Sequence, residues 1–167
     1  MAAFDITQFQ PTAWTSLARS FEAGKVAGTY LVYGREGTGR WALAISLAAL
    51  LNCEHPTRGG PPVEVLRPCG ACRACRMIFG LNFEGLHFAL PIPPHKSSDE
   101  AIDLTAKALD LKRGDPFRIL SGSGNMNIPI SLARDIKRRL SLKADTGVTR
   151  LVLFYQMERM LAASADA

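Results

Sequence analysis

The stretch "YLVYGREGTGRW", Tyr30–Trp41, decides the fold. Tyr30, Leu31, Val32 and Tyr33 predict a strand over 29–33 that runs into Gly34. After four intervening residues comes Gly39, which completes the G-x-x-x-x-G frame of a phosphate-binding loop. In such a loop Gly34, Gly37, Thr38 and Gly39 would let backbone N–H groups cup a phosphate where a helix begins. The frame then demands Lys followed by Ser or Thr, and the chain supplies Arg40 and Trp41. Arg40 keeps a positive charge, but its planar fork does not replace a compact ammonium. Trp41 has no oxygen to offer a magnesium ion. For the glycines, a tight turn needing positive φ outweighs nucleotide binding, although a stray sulfate would fit.

The neighbouring segments alternate between helix and strand. Trp14, Leu17, Ala18 and Phe21 predict a helix over 13–24, ended by Gly24. "RWALAISLAALLN" opens directly off the glycine loop and is apolar on most sides, which marks a buried helix. "EHPTRGGPPVEVLRPCG" is loop, and helix resumes from Cys72 to Phe79, stopped by Gly80. "LHFAL" predicts a strand over 86–90, and "SSDEAIDLTAKALDL" a helix capped by Ser97 or Ser98. "GDPFRILSGSGNMN" reads as a loop, partly mobile. Helix 131–142 has Ser131 as its cap and Leu132, Ile136 and Leu140 inward. "TRLVLFYQ", 149–156, is a nearly continuous apolar strand of the parallel-sheet type. This order is that of an α/β fold. The final "MERMLAASADA" reads as the first turns of a helix, so the chain is expected to be the N-terminal part of a longer protein.

The totals set limits. The chain has 167 residues, with hydrophobic content of 47% and charged content of 21%, which suits one domain over 1–167 and excludes wholesale disorder. No signal pattern and no membrane-length apolar run is present, so a cytoplasmic location is expected. Net charge of +5 is compatible with a polyanionic partner and too mild to require one.

The cysteines are more specific. Cys53, Cys69, Cys72 and Cys75 are the only four in the chain. The two-residue gaps let neighbouring sulfurs converge on one ion, and the long loop returns Cys53 to close a tetrahedron. Four thiolates favour Zn²⁺ and leave no open position, so the site is expected to be structural. Arg58, Arg67, Arg73 and Arg76 would offset its negative charge. A redox C-x-x-C pair, an iron–sulfur cluster and four unliganded cysteines are the alternatives, and zinc is favoured over them. His55 could replace one cysteine, although exposure beside Pro56 is favoured; His87 is assigned no chemistry, and His95 beside Pro93 and Pro94 is expected to be exposed.

Together, "GTYLVYGREGTGRWALAISLAALLNCE", "CGACRACRMIFG" and "LHFAL" resemble the clamp-loader family of bacterial DNA polymerase III. The resemblance covers nearly the whole chain and is weakest at 91–128. It implies an AAA+ P-loop NTPase-like parallel sheet flanked by helices, with a zinc knuckle inserted at about 53–80. Active members end their second motif strand with Asp-Glu; here Tyr155 and Gln156 stand at those positions. Neither can hold a magnesium ion or polarise an attacking water, and Glu158 comes two residues late. Two lesions at separate motifs imply no intrinsic ATPase, with ATP and Mg²⁺ not expected as cofactors and no small-molecule substrate.

The member that fits is the zinc-bearing, ATPase-silent arm of the loader pentamer, set between a gamma/tau subunit and the delta subunit. The resemblance places the arginine it lends to its neighbour's ATP beyond Ala167. The sheet strand that normally lies between the two motif strands would also come later in the chain. Helix 131–143 carries Arg134, Lys137, Arg138, Arg139 and Lys143 against Asp135, five basic residues to one acidic. In the family, helices near this point track the DNA backbone, so Arg134, Arg138 and Arg139 are candidate phosphate contacts. A solvated helix face is the plainer reading and carries slightly more weight. The competing functions are an active gamma/tau-like ATPase and a zinc-knuckle nucleic-acid binder unrelated to replication.

Overall fold

Helix α1 (Pro11–Glu22) starts where Pro11 supplies a preset φ at its first turn. Trp14 and Ala18, one turn apart, are buried, and Leu17 and Phe21 are half-buried beside them. The helix ends as the sequence predicts, with Gly24 at φ 65°. There Lys25 N–H donates to the Ser20 carbonyl and Gly24 N–H to Phe21, a Schellman closure. The computed structural model describes residues 4–59, 64–120, 125–142 and 147–160. The chain divides into two compact units, residues 1–83 and 84–167.

In the first unit, α2 (Arg40–Leu51) is the central element. Ala42, Ile45, Ala48, Ala49 and Leu50 have no exposure, matching a helix with apolar residues all round. It packs against α1 and α3 (Arg73–Phe79), with a short antiparallel hairpin of β1 (Thr57–Arg58) and β2 (Leu66–Arg67) alongside. The hairpin is tied to α1. The Trp14 indole N–H donates to the Leu66 carbonyl at 3.1 Å, and Glu22 pairs with Arg58 at 3.0 Å. Arg67 reaches Asp5 at 2.6 Å.

One expectation is corrected in this unit. Residues 29–33 form no strand; among the described residues no ladder hydrogen bond reaches them, and a lone extended segment has nothing to pair with. Leu31 is 72% and Tyr33 85% exposed. Helix α3 stops at Gly80, as the sequence predicts. Gly80 stays right-handed at φ −77°, and Leu81 takes the left-handed position at φ 56°. Leu81 is buried, so its side chain holds the backbone in a conformation that usually falls to glycine.

The second unit is built on two parallel strands, β3 (Leu86–Ala89) and β4 (Leu151–Phe154), in the register Leu86 opposite Leu151 through Ala89 opposite Phe154. Helix α4 (Ser98–Gly114) begins at Ser97, whose hydroxyl accepts the Glu100 N–H at 3.2 Å. Helix α5 (Ile130–Ser141) covers β3 with Leu132, Ile136 and Leu140 inward against Ala89, Ile128, Val152 and Met160.

Ser131 is not the cap of α5. Ile128 is held extended by its N–H bond to the Arg159 carbonyl, so turning begins just past Pro129 and Ser131 falls inside the first turn. Residues 121–124 of the expected loop, Lys143, and 161–167 of the expected terminal helix lie outside the described residues. Among the described residues, no helix is long and apolar enough to cross a membrane.

Candidate metal centre and glycine loop

Cys53 follows the end of α2, Cys69 follows β2, Cys72 caps α3 and Cys75 sits in its first turn. The fold thereby brings all four together, with their sulfurs within 4.8 Å of one another. Sulfurs bound 2.3 Å from one zinc in a tetrahedron would lie about 3.8 Å apart, and Cys69 and Cys75 Sγ lie 3.9 Å apart. Three backbone N–H groups already point at sulfur. Cys69 donates to Cys53 Sγ at 3.3 Å, Cys72 to Cys69 Sγ at 3.3 Å, and Cys75 to Cys72 Sγ at 3.4 Å. Such donors stabilise thiolates, the form a metal binds.

Charge at the tetrad is unevenly accommodated. Burial pushes the Cys69 thiol up, but the backbone N–H groups of Cys72 and Ala71, with the Cys53 and Cys72 side chains, bring it down to about 6. Burial raises Cys75, and the adjacent Cys72 and Cys53 sulfurs raise it further against the Gly70 N–H. Cys53 is also raised by burial. Four crowded thiolates therefore resist charging together unless a cation sits among them. The donor set, the spacing and the N–H groups all fit a four-coordinate soft divalent ion. Of the nearby arginines, Arg67 is engaged with Asp5 and Arg58 with Glu22, so neither is simply a counter-ion to sulfur.

The glycine loop has the expected backbone. Gly34, Gly37 and Gly39 have φ of 146°, 76° and 90°, and Gly39 is the N-cap of α2. Thr38 turns inward on the loop itself, its hydroxyl donating to the Arg35 carbonyl at 2.8 Å. The Gln10 side-chain amide donates to the Thr38 carbonyl at 2.5 Å and ties the loop to the start of α1. Gln10 went unnoticed in the sequence, because nothing local marks a residue 28 positions away as a loop anchor. Arg40 is half-buried, and Trp41 is buried.

In the second unit, Tyr155 and Gln156 follow β4 directly and both are buried. Tyr155 N–H continues the ladder by donating to the Ala89 carbonyl at 2.9 Å. Gln156 adopts φ 54°, a left-handed conformation uncommon for a residue with a side chain. Glu158 is exposed. The Lys112 ammonium lies 4.3 Å from the Tyr155 ring centroid. Sequence reading missed Lys112, although a signal exists: Ala101, Leu104, Ala108 and Lys112 recur at helical spacing, so a charge stands in an apolar stripe.

Along α5, Arg138 and Arg139 both bond Asp135, at 2.8 and 2.6 Å, so part of the helix's positive charge is compensated locally. Hydrogen bonds from these two arginines hold the Asp135 carboxyl below its usual range. Arg150 caps the end of the helix, its guanidinium donating to the Leu142 carbonyl at 2.8 Å.

A family model described as "DNA polymerase III, delta subunit" matches residues 9–167. The chain is similar to the DNA polymerase III subunit delta' of Bacillus subtilis (strain 168), 31% identical over 87 residues, covering 52% of this chain and 24% of the relative. It is 35% identical over 74 residues to the subunit delta' of Pseudomonas aeruginosa, covering 44% of this chain and 20% of the relative. Protein STICHEL-like 1 of Arabidopsis thaliana is 38% identical over 72 residues, covering 43% of this chain and 6% of the relative. The chain spans less than a quarter of the length of each of these relatives.

Proposed function

This chain belongs to the DNA polymerase III delta-subunit family, and from that premise we propose that it serves as a delta-prime-type clamp-loader subunit that does not hydrolyse ATP. The match over 9–167, with two relatives named delta', is the observation that carries the assignment. In this role the subunit is a cytoplasmic scaffold of the loader, beside gamma/tau and delta subunits, and helps place the sliding clamp on primed DNA. The silence rests on side-chain chemistry. Phosphoryl transfer needs a lysine on the phosphates and a carboxylate-held Mg²⁺; Arg40–Trp41 and Tyr155–Gln156 supply neither.

Zinc at Cys53, Cys69, Cys72 and Cys75 is proposed as a structural centre. When bound, it supplies a cross-link that fixes the end of α2, β2 and the start of α3 to one point. Arg134, Arg138 and Arg139 are proposed to face DNA phosphates, Arg138 and Arg139 more weakly because Asp135 engages both. Charge reversal at the three should lower DNA affinity and flatten its salt dependence by about one unit of slope per lost phosphate contact.

The test of the main reading uses the intact protein. It should co-purify with gamma/tau and delta subunits and should turn over no ATP above a buffer blank by itself. Turnover by the isolated protein, or failure to join the other subunits, would refute the reading.

A further inference from the structure

Lys112 is the one charged side chain that is buried among the described residues, with 2% exposure. It lies on the inward stripe of α4, where an apolar residue would avoid the cost of taking a charge out of water. Its ammonium is held by the Tyr155 ring face, at 4.3 Å to the centroid, and donates to the Arg118 carbonyl at 2.5 Å. The negative face of an aromatic ring and a carbonyl dipole both favour a cation. Tyr155 is locked in turn by its N–H bond to Ala89. The ammonium is therefore fixed at the C-terminal end of two parallel strands. That end is where open α/β sheets take their ligands, and where a carboxylate holds Mg²⁺ in P-loop NTPases.

We propose that Lys112 is an internal counter-cation: its ammonium, seated on Tyr155 beneath α4, occupies the strand end that a divalent metal would use and bars such a metal from it. The inference rests on the ATPase-silent reading and deepens it. On this view the loss of the acids at 155 and 156 is only half of the silencing. A divalent ion brought close to a fixed ammonium meets like-charge repulsion in surroundings that screen poorly. Restoring an aspartate at 155 would then not restore metal binding, because the new carboxylate would pair with Lys112 first.

The probe is Mn²⁺ alone, titrated into the intact protein and followed by the electron paramagnetic resonance of the free ion. Tyr155→Asp with Gln156→Glu should bind Mn²⁺ no more tightly than the parent protein. Adding Lys112→Met should tighten binding at least tenfold. Equal binding with and without Lys112→Met overturns the proposal. Reductive methylation of the folded parent protein gives a readout that does not depend on the triple variant folding. Lys112 should stay unmodified while exposed Lys25, Lys96 and Lys107 react, and Tyr155→Phe should keep the protection that Tyr155→Leu loses. Methylation of Lys112 at the rate of those three lysines overturns the proposal. ATP turnover by the parent protein would instead sink the silent reading, and would leave both of these readouts unmoved.

Discussion

His87 shows how one residue's surroundings set its behaviour. It stands on β3 on the same side as Ala89, toward α5. Burial holds its pKa below the ordinary value, and the charges of Arg139 and Arg150 lower it further against the opposing Asp135. The folded state thus favours neutral His87. As pH falls below about 6.5, the unfolded chain takes up the proton first, and stability declines until pH passes the lowered folded value. His87→Gln should flatten that decline, checked by thermal unfolding between pH 7.5 and 5. Asp135 acts in a lower window: its lowered carboxyl adds stability above the usual carboxylate range, lost as pH falls through its folded value. Leu81 sets two terms against each other. Leu81→Gly would relieve about 1 kcal/mol of left-handed strain but would remove a buried leucine side chain worth about 2–3 kcal/mol. The variant should be less stable by about 1–2 kcal/mol in urea unfolding.

At the scale of elements, the hairpin and α3 depend on their fastenings. Trp14 is fully buried and hydrogen-bonded to β2, so Trp14→Ala should cost about 3–5 kcal/mol, read from the denaturant midpoint. Chelation of the proposed zinc should speed amide hydrogen exchange across 53–79 and leave β3 and β4 protected; equal loss in both regions would count against a local structural role. These elements differ in how plainly the sequence announces them. The helices were legible because their apolar spacing, the Ser97 cap and the Gly24 stop act within a few residues. The cysteine tetrad was legible for the same reason, its ligand spacing being local. The parallel β3–β4 pair followed from the apolar run at 149–156. The strand over 29–33 did not form, because a strand is made by its neighbour and periodicity describes only the segment itself. The start of α5 shifted for a similar cause, a hydrogen bond to Arg159 from 31 positions earlier in the chain.

For the whole molecule, the proposed ATPase silence draws on residues in each of the two units. Gly34, Gly37 and Gly39 have positive φ in the first, with Arg40 and Trp41 following, and Tyr155 and Gln156 follow the paired β4 in the second. Putting Lys and Thr at 40 and 41 should therefore not create an ATPase, because the acids at 155 and 156 would still be missing; a phosphate-release assay checks this. The bare segment at 29–33 has a practical corollary. Leu31 and Tyr33 present apolar surface on a segment that no ladder hydrogen bond reaches among the described residues, a template for self-association into aggregates. Concentrated solutions of this stretch of chain should turn turbid on standing, and a single Leu31→Lys change should keep them clear, as light scattering would record.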